Sequence, residues 1–174
     1  MEFRSVNKTL ERSIRNNWDR DALSNYQGTT LKYKDVAERV EYLRIAFEQC
    51  GLKRGDKVAL CSRNQANWGV CFLAAMTYGA VPVPILHEFK PENIHYLVNH
   101  SEAKVFFVDE VIWEGLSESE MPDLEVIVQM NNLKFIYARS RTDVEVRDNL
   151  QSTFKKLYPD GLKPEHLNYY EDKA

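Results

Sequence analysis

Between Lys34 and Val128, short uninterrupted apolar runs alternate with longer segments of helical periodicity, and this alternation restricts the fold more than any other feature. Val58-Ala59-Leu60-Cys61 and Val105-Phe106-Phe107-Val108 are apolar at every position. A strand with one wet face alternates apolar and polar residues. One that is apolar throughout belongs in a parallel sheet covered on both sides. Val81 to Ile85 and Val126 to Val128 supply two more runs. Pro82 and Pro84 remove two backbone donors, so their strand sits at a strand end or an irregular edge. The expected fold is α/β, a three-layer α/β/α arrangement with a mainly parallel sheet and right-handed crossovers.

The connecting segments read as helices. Lys34 to Cys50 places Val36, Val40, Leu43 and Phe47 on one face. Asp35 and Arg39 are expected to pair across one turn on the other face, and Gly51 follows as a left-handed stop. Asn64 or Asn67 is the expected cap of a helix reaching about Tyr78 and ended at Gly79. Pro91 suits the first turn of a helix through Ile94, Leu97 and Val98. Val111 to Leu116 reads as a short helix, Lys134 to Tyr137 as one more strand, and Val144 to Leu157 as the last helix. Ahead of the sheet, Ser5 to Asn17 carries Val6, Leu10 and Ile14 at helical spacing. Ala22 to Tyr26 and Thr30 to Tyr33 flank Gln27-Gly28-Thr29 as a β-hairpin.

Composition excludes several classes. The 174 residues hold 23 Lys and Arg against 26 Asp and Glu, spread without a basic block, so nucleic acid is not the expected partner. No charged residue occurs from Asn64 to His87, a length that suggests a membrane span. Gly79, Pro82 and Pro84 interrupt it, and a buried helix followed by a buried strand accounts for it better. The spacings of Cys50, Cys61 and Cys71 fit no zinc pattern, and an odd count suits no disulfide framework. Reduced thiols in a cytosolic protein are the expectation. The polar, charged Met1 to Asn17 is not a secretory signal.

Direct signs of chemistry are few. The sequence holds no G-x-x-x-x-G-K-[ST] and no G-x-G-x-x-G. Gly28-Thr29-Thr30 looks like part of a phosphate loop but lies at a hairpin tip with no helix behind it. His95 and His100 are five apart, which does not put two ligands on one helical face. Asp109-Glu110 follows the third strand of the sheet, at the edge where open α/β sheets bind ligands, although acidic residues there also suit the start of the next helix.

Four blocks resemble the adenylate-forming acyl-CoA synthetases of the AMP-binding superfamily. Leu31-Lys32-Tyr33-Lys34-Asp35-Val36 is similar to their L-(T/S)-Y-x-E-L opening. Gly51 to Ala59 with Arg63-Asn64 is similar to their G-(x)-x-x-G-D-x-V-A segment and the Asn before the next helix. Met76 to Pro84 resembles L-K-A-G-A-x-x-V-P, and Ile94 to Val108, with Asn99-His100-Ser101-Glu102-Ala103-Lys104, resembles ILNDSEAKVL. Among subfamilies the resemblance is greatest to bacterial long-chain fatty acid–CoA ligases, on Pro84 to Phe89 and the long tract from Asn131 to Tyr170.

The resemblance implies a parent enzyme that couples ATP, magnesium and CoA to a long-chain fatty acid. The acid is first adenylated, with release of pyrophosphate, and the CoA thiol then displaces AMP. It also implies a cytoplasmic enzyme that can sit peripherally at the inner face of the membrane. The family's S/T-S-G-T-T-G-x-P-K loop, its later nucleotide motifs, its magnesium-binding Glu and its catalytic Lys have no counterpart here. The expectation is therefore a single N-terminal subdomain over 1–174. Its core is about 31–130, preceded by the helix and hairpin. Residues 131–174 form a helical and extended tail leading towards the phosphate loop.

On this reading the chain alone is inactive, holds no bound cofactor and has no catalytic residue. His87, Glu88 and Phe89 are the candidate wall of the substrate or CoA channel. The alternatives are a non-enzymatic interaction module and a stand-alone flavodoxin-like nucleotide-binding domain. A fragment of a larger body exposes surface that the parent covers, and residues 165–174 have few apolar anchors apart from Leu167, Tyr169 and Tyr170, so they are expected to be poorly ordered unless a neighbour captures them. Light scattering across a concentration series should show self-association, or hydrogen exchange a weakly protected tail. A strict monomer with strongly protected final amides would favour the interaction module.

Overall fold

The computed structural model describes residues 5–169. Helix α1 (Val6–Asn16) and a two-stranded antiparallel hairpin, β1 (Asp21–Ser24) with β2 (Thr30–Lys32), precede the main sheet. Then follow α2 (Tyr33–Gln49), β3 (Lys57–Cys61), α3 (Ala66–Tyr78), β4 (Val81–Pro84), α4 (Pro91–His100) and β5 (Val105–Val108). The chain ends its described part with α5 (Glu110–Trp113), β6 (Val126–Gln129), β7 (Lys134–Ala138) and α6 (Arg141–Leu157). The sheet order is β4-β3-β5-β6-β7, parallel throughout except for β7, which runs antiparallel to β6.

Side chains alternate across a strand, so each apolar run divides between two cores. Val58, Leu60, Val105, Phe107, Val126 and Val128 face the layer of α2 and α3. Ala59, Cys61, Phe106, Val108 and Ile127 face α4 and the segment carrying Met121 and Leu124. The result is the expected three-layer mixed α/β fold. Phe47 on α2 lies between Tyr78 and Phe107, edge-on to both, at ring distances of 5.5 and 6.0 Å.

The stop signal after α2 works as its residues predict. Gly51 sits at φ +75, its N–H donates to the Glu48 carbonyl, and the Leu52 N–H donates to that of Phe47. These bonds satisfy carbonyls that a helix end otherwise leaves bare. Strand β4 lies at the sheet's edge. The Val81 and Ile85 N–H groups point inward to the Asp56 and Leu60 carbonyls, so Pro82 and Pro84 face outward, where no donor is needed. Among the described residues no helix is long and apolar enough to cross a membrane.

Several local expectations are corrected. The first turn of α3 is capped neither by Asn64 nor by Asn67. Gln65 is the N-cap residue without a side-chain bond, and Asn25 of the hairpin accepts from the Ala66 N–H at 2.8 Å. Asp35 and Arg39 do not pair, because each has a better-placed partner. Asp35 accepts the Lys32 N–H at the start of α2, and Arg39 donates to Asn67 at 2.7 Å. The helix expected from Val111 to Leu116 is only Glu110–Trp113. Of the α1 stripe Val6, Leu10 and Ile14, Ile14 is buried and Val6 is exposed. Helix α6 starts three residues early because Ser140 and Asp143 form a capping box.

The expected poor order of the tail is also corrected for residues 165–169. Leu167 and Tyr169 are buried. Arg15 donates to the Pro164 and Leu167 carbonyls and Asn7 to the Tyr169 carbonyl. Arg44, fully buried in α2, lies 4.9 Å from the centroid of the Tyr169 ring and 3.3 Å from Glu41, which accepts from the Tyr158 hydroxyl. Residues 170–174 lie outside the described part.

Phe47→Ala removes a ring packed against α3 and β5 and should cost about 3–5 kcal/mol. Urea unfolding measures it, and an unchanged midpoint would mean that the helix faces elsewhere.

Candidate functional site

Topology singles out one place along the sheet's carboxyl edge. From β3 the chain passes through α3 to β4 on one side, and from β5 it passes through α5 to β6 on the other. The loops after β3 and β5 therefore diverge, and open α/β sheets bind ligands in the crevice outside such a divergence. Cys61 and Val108 are register partners, so Ser62-Arg63 and Asp109-Glu110 leave the sheet side by side.

Asp109 organises this crevice. It is fully buried, caps α5 by accepting from the Val111 N–H, and receives Arg63 Nε at 2.7 Å and Nη2 at 3.0 Å. The Arg63 N–H and the Ser62 hydroxyl also point to Oδ2, at 3.3 and 3.4 Å. Desolvation would raise the carboxyl's pKa. The Arg63 hydrogen bonds and charge, with the Val111 N–H, outweigh it and hold the group below the usual carboxylate range. Arg63 itself is half exposed, its guanidinium presented at the mouth of the crevice. Next door, the Glu110 N–H donates to Asn131 and the Glu110 carboxylate accepts from Gln129.

His87, Glu88 and Phe89 form an exposed turn directly after β4, at the same carboxyl edge. Phe89 and the preceding Leu86 are 40% and 63% exposed, an apolar pair open to a neighbour. The turn follows the sheet's outer strand.

Other candidates fall into structural duties. His95 Nε2 accepts the Ser117 N–H, His100 stacks on Tyr96, and His166 Nδ1 accepts the Lys163 N–H. Gly28 is at the hairpin tip, where the Thr30 hydroxyl bonds to Ser24. Burial pushes the Cys61 thiol up to about 12 and Cys71 well above its ordinary value, so both are core thiols. No group of three His, Cys, Asp or Glu among the described residues could hold a metal ion. The side chains in the β3 and β5 loops bond chiefly to one another, so no described residue is assigned to ATP, magnesium or CoA.

The Arg63–Asp109 pair was the part of this edge that the sequence reading missed. The signal was available. Laying the two apolar runs in parallel register brings together a cation two residues beyond Cys61 and an acid one residue beyond Val108.

The sequence profile described as AMP-binding enzyme matches residues 10–169. The chain belongs to the AMP-binding enzyme family. Among curated relatives, fatty acyl-CoA synthetase A of Dictyostelium discoideum is 28% identical over 73% of this chain and 19% of its own length. Human long-chain-fatty-acid–CoA ligase 1 is 31% identical over 58% of this chain and 16% of its own. A 2,3-dihydroxybenzoate-AMP ligase of Vibrio cholerae is 35% identical over 45% of this chain and 14% of its own. The chain thus spans less than a fifth of the length of these relatives. Of solved structures, a long-chain-fatty-acid-CoA ligase from Archaeoglobus fulgidus superposes with a TM-score of 0.66 at 16% identity, covering 85% of this chain and 31% of that one. The N-terminal subdomain of Klebsiella oxytoca NpsA does so with a TM-score of 0.61 at 21% identity, covering 76% and 32%. At these identities the likeness establishes the shared fold.

Asp109→Asn keeps a cap for α5 but removes the ion pair, at an expected cost of about 1–3 kcal/mol at pH 7. The folded carboxyl titrates below its ordinary 3.8, so its contribution is complete above that value and fades as pH falls through the folded one. Urea midpoints of wild type and variant should therefore converge on acidification, and a gap that persists at the lowest pH would refute the assignment.

Proposed function

We propose that the chain is the N-terminal α/β portion of a long-chain fatty acid–CoA ligase and acts there as scaffold. The parent reaction would join a fatty acid to ATP, forming acyl-adenylate and pyrophosphate. Attack by the CoA thiol would then give acyl-CoA and AMP. The observation that carries this reading is the family match across residues 10–169. The fatty-acid assignment draws on the names of two relatives, from Dictyostelium discoideum and human. A long acyl chain partitions into lipid, so a cytoplasmic enzyme of this kind would meet its substrate at the inner face of the membrane.

Within the scaffold, His87, Glu88 and Phe89 would wall the acyl or CoA channel. Their exposure at the sheet's carboxyl edge, with Leu86 beside them, supports that role. The sheet would position whatever loops carry the phosphates and the catalytic lysine. Surfaces buried in the parent would also account for any self-association of the chain alone.

ATP–pyrophosphate exchange tests the scaffold reading. The purified chain should show no palmitate-dependent exchange, and exchange in a preparation free of host ligase would overturn it. The coding sequence beyond Ala174 tests the parent assignment. It should specify a Ser/Thr/Gly-rich loop ending in Lys.

A further inference from the structure

A cleft of about 600 Å³ opens between α2, the start of α3, the β6–β7 turn and α6. Its floor is set by Asn67, which is buried. The Asn67 Nδ2 donates to the Met130 carbonyl at 2.8 Å, and its Oδ1 holds Arg39 Nη1 at 2.7 Å. That bond uses one of the five guanidinium N–H groups and fixes the direction of the rest.

The polar side chains lining the cleft carry more donors than acceptors, with Asp148 as the carboxylate among them. The Asn131 Oδ1 is occupied by the Glu110 N–H at 2.9 Å, and the Asn132 Oδ1 by the Lys134 N–H at 3.0 Å. Each oxygen keeps one lone pair, and each Nδ2 group remains to donate two bonds. The carboxylate in the lining, Asp148, lies 3.0 Å from its neighbour Arg147 Nε. Arg39 and Lys134 have no carboxylate partner among the described residues. Half-buried Tyr42 and Phe135 add an aromatic wall.

We propose that this cleft binds an organic phosphate, a phosphomonoester dianion whose planar apolar body rests on Tyr42 and Phe135. Two uncompensated cations match the two charges, and the guanidinium fork and amide donors match the phosphate oxygens. A cation would meet repulsion here. A neutral ring would leave the donors without acceptors. A volume of this size accommodates a small ligand of that kind.

Calorimetric titration of phenyl phosphate into the 174-residue chain at low salt tests the proposal. Phenyl phosphate should bind about tenfold or more tightly than either phenol or inorganic phosphate, and Arg39→Gln and Lys134→Gln should each weaken it about tenfold. Lys134 is exposed, so Lys134→Gln should melt as the wild type does. The side-chain amide signals of Asn131 and Asn132 should shift with phenyl phosphate. No measurable binding, affinity equal to that of phenol or of inorganic phosphate, wild-type affinity in Lys134→Gln, or unmoved asparagine signals would each overturn it.

Discussion

Strands β3, β5 and β6 are apolar on both faces, and neither face is tolerable in water. The sheet can exist only between two helical layers, so the rest of the chain is arranged around supplying them. Helices α2 and α3 close one side, where the Phe47 ring touches both α3 and β5. Helix α4 and the stretch through Met121 and Leu124 close the other. The buried middles of β3, β5 and β6 hold no polar residue, so charged and hydrogen-bonding side chains lie at the strand ends and in the loops. That is why Arg63, Asp109 and the exposed turn after β4 all gather along one edge.

The peripheral elements are bound in by polar contacts made by few residues. Asn25 ties the hairpin to the start of α3, and Asn67 ties α3 to the β6–β7 turn. Arg44 reaches from the middle of α2 to the Tyr169 ring and the Asn168 carbonyl. Asn67 and Arg44 are buried, and their partners matter because an unpaired polar group there carries a desolvation penalty. These contacts make the hairpin, α1 and the segment before Tyr169 parts of the same body as the sheet.

What could be read from sequence was whatever depends on neighbours along the chain. The runs ending at Cys61 and Val108, the stripe of α2 with Gly51 behind it, and the prolines of β4 are local patterns, and the structure places them as those patterns imply. The missed features join distant positions. Asn25 caps a helix that begins at Ala66, Arg63 meets Asp109, and Arg44 meets Tyr169. A buried arginine inside a helical stripe looks like a surface residue until its partner is known. The same limit applies to the candidate site. The location of His87 to Phe89 at the sheet's carboxyl edge follows from strand order, whereas the channel role proposed for them does not.

The outward side of β4 also decides how molecules of this kind can meet. With proline nitrogens at 82 and 84, that border offers carbonyl oxygens and no N–H to match them. Two copies brought together along it would set acceptor against acceptor, so the sheet cannot propagate from one molecule to the next through this side. A strand could dock there only if it donated every bond itself. The border therefore works as a terminus for β-sheet growth beside three strands, β3, β5 and β6, that are apolar on both faces.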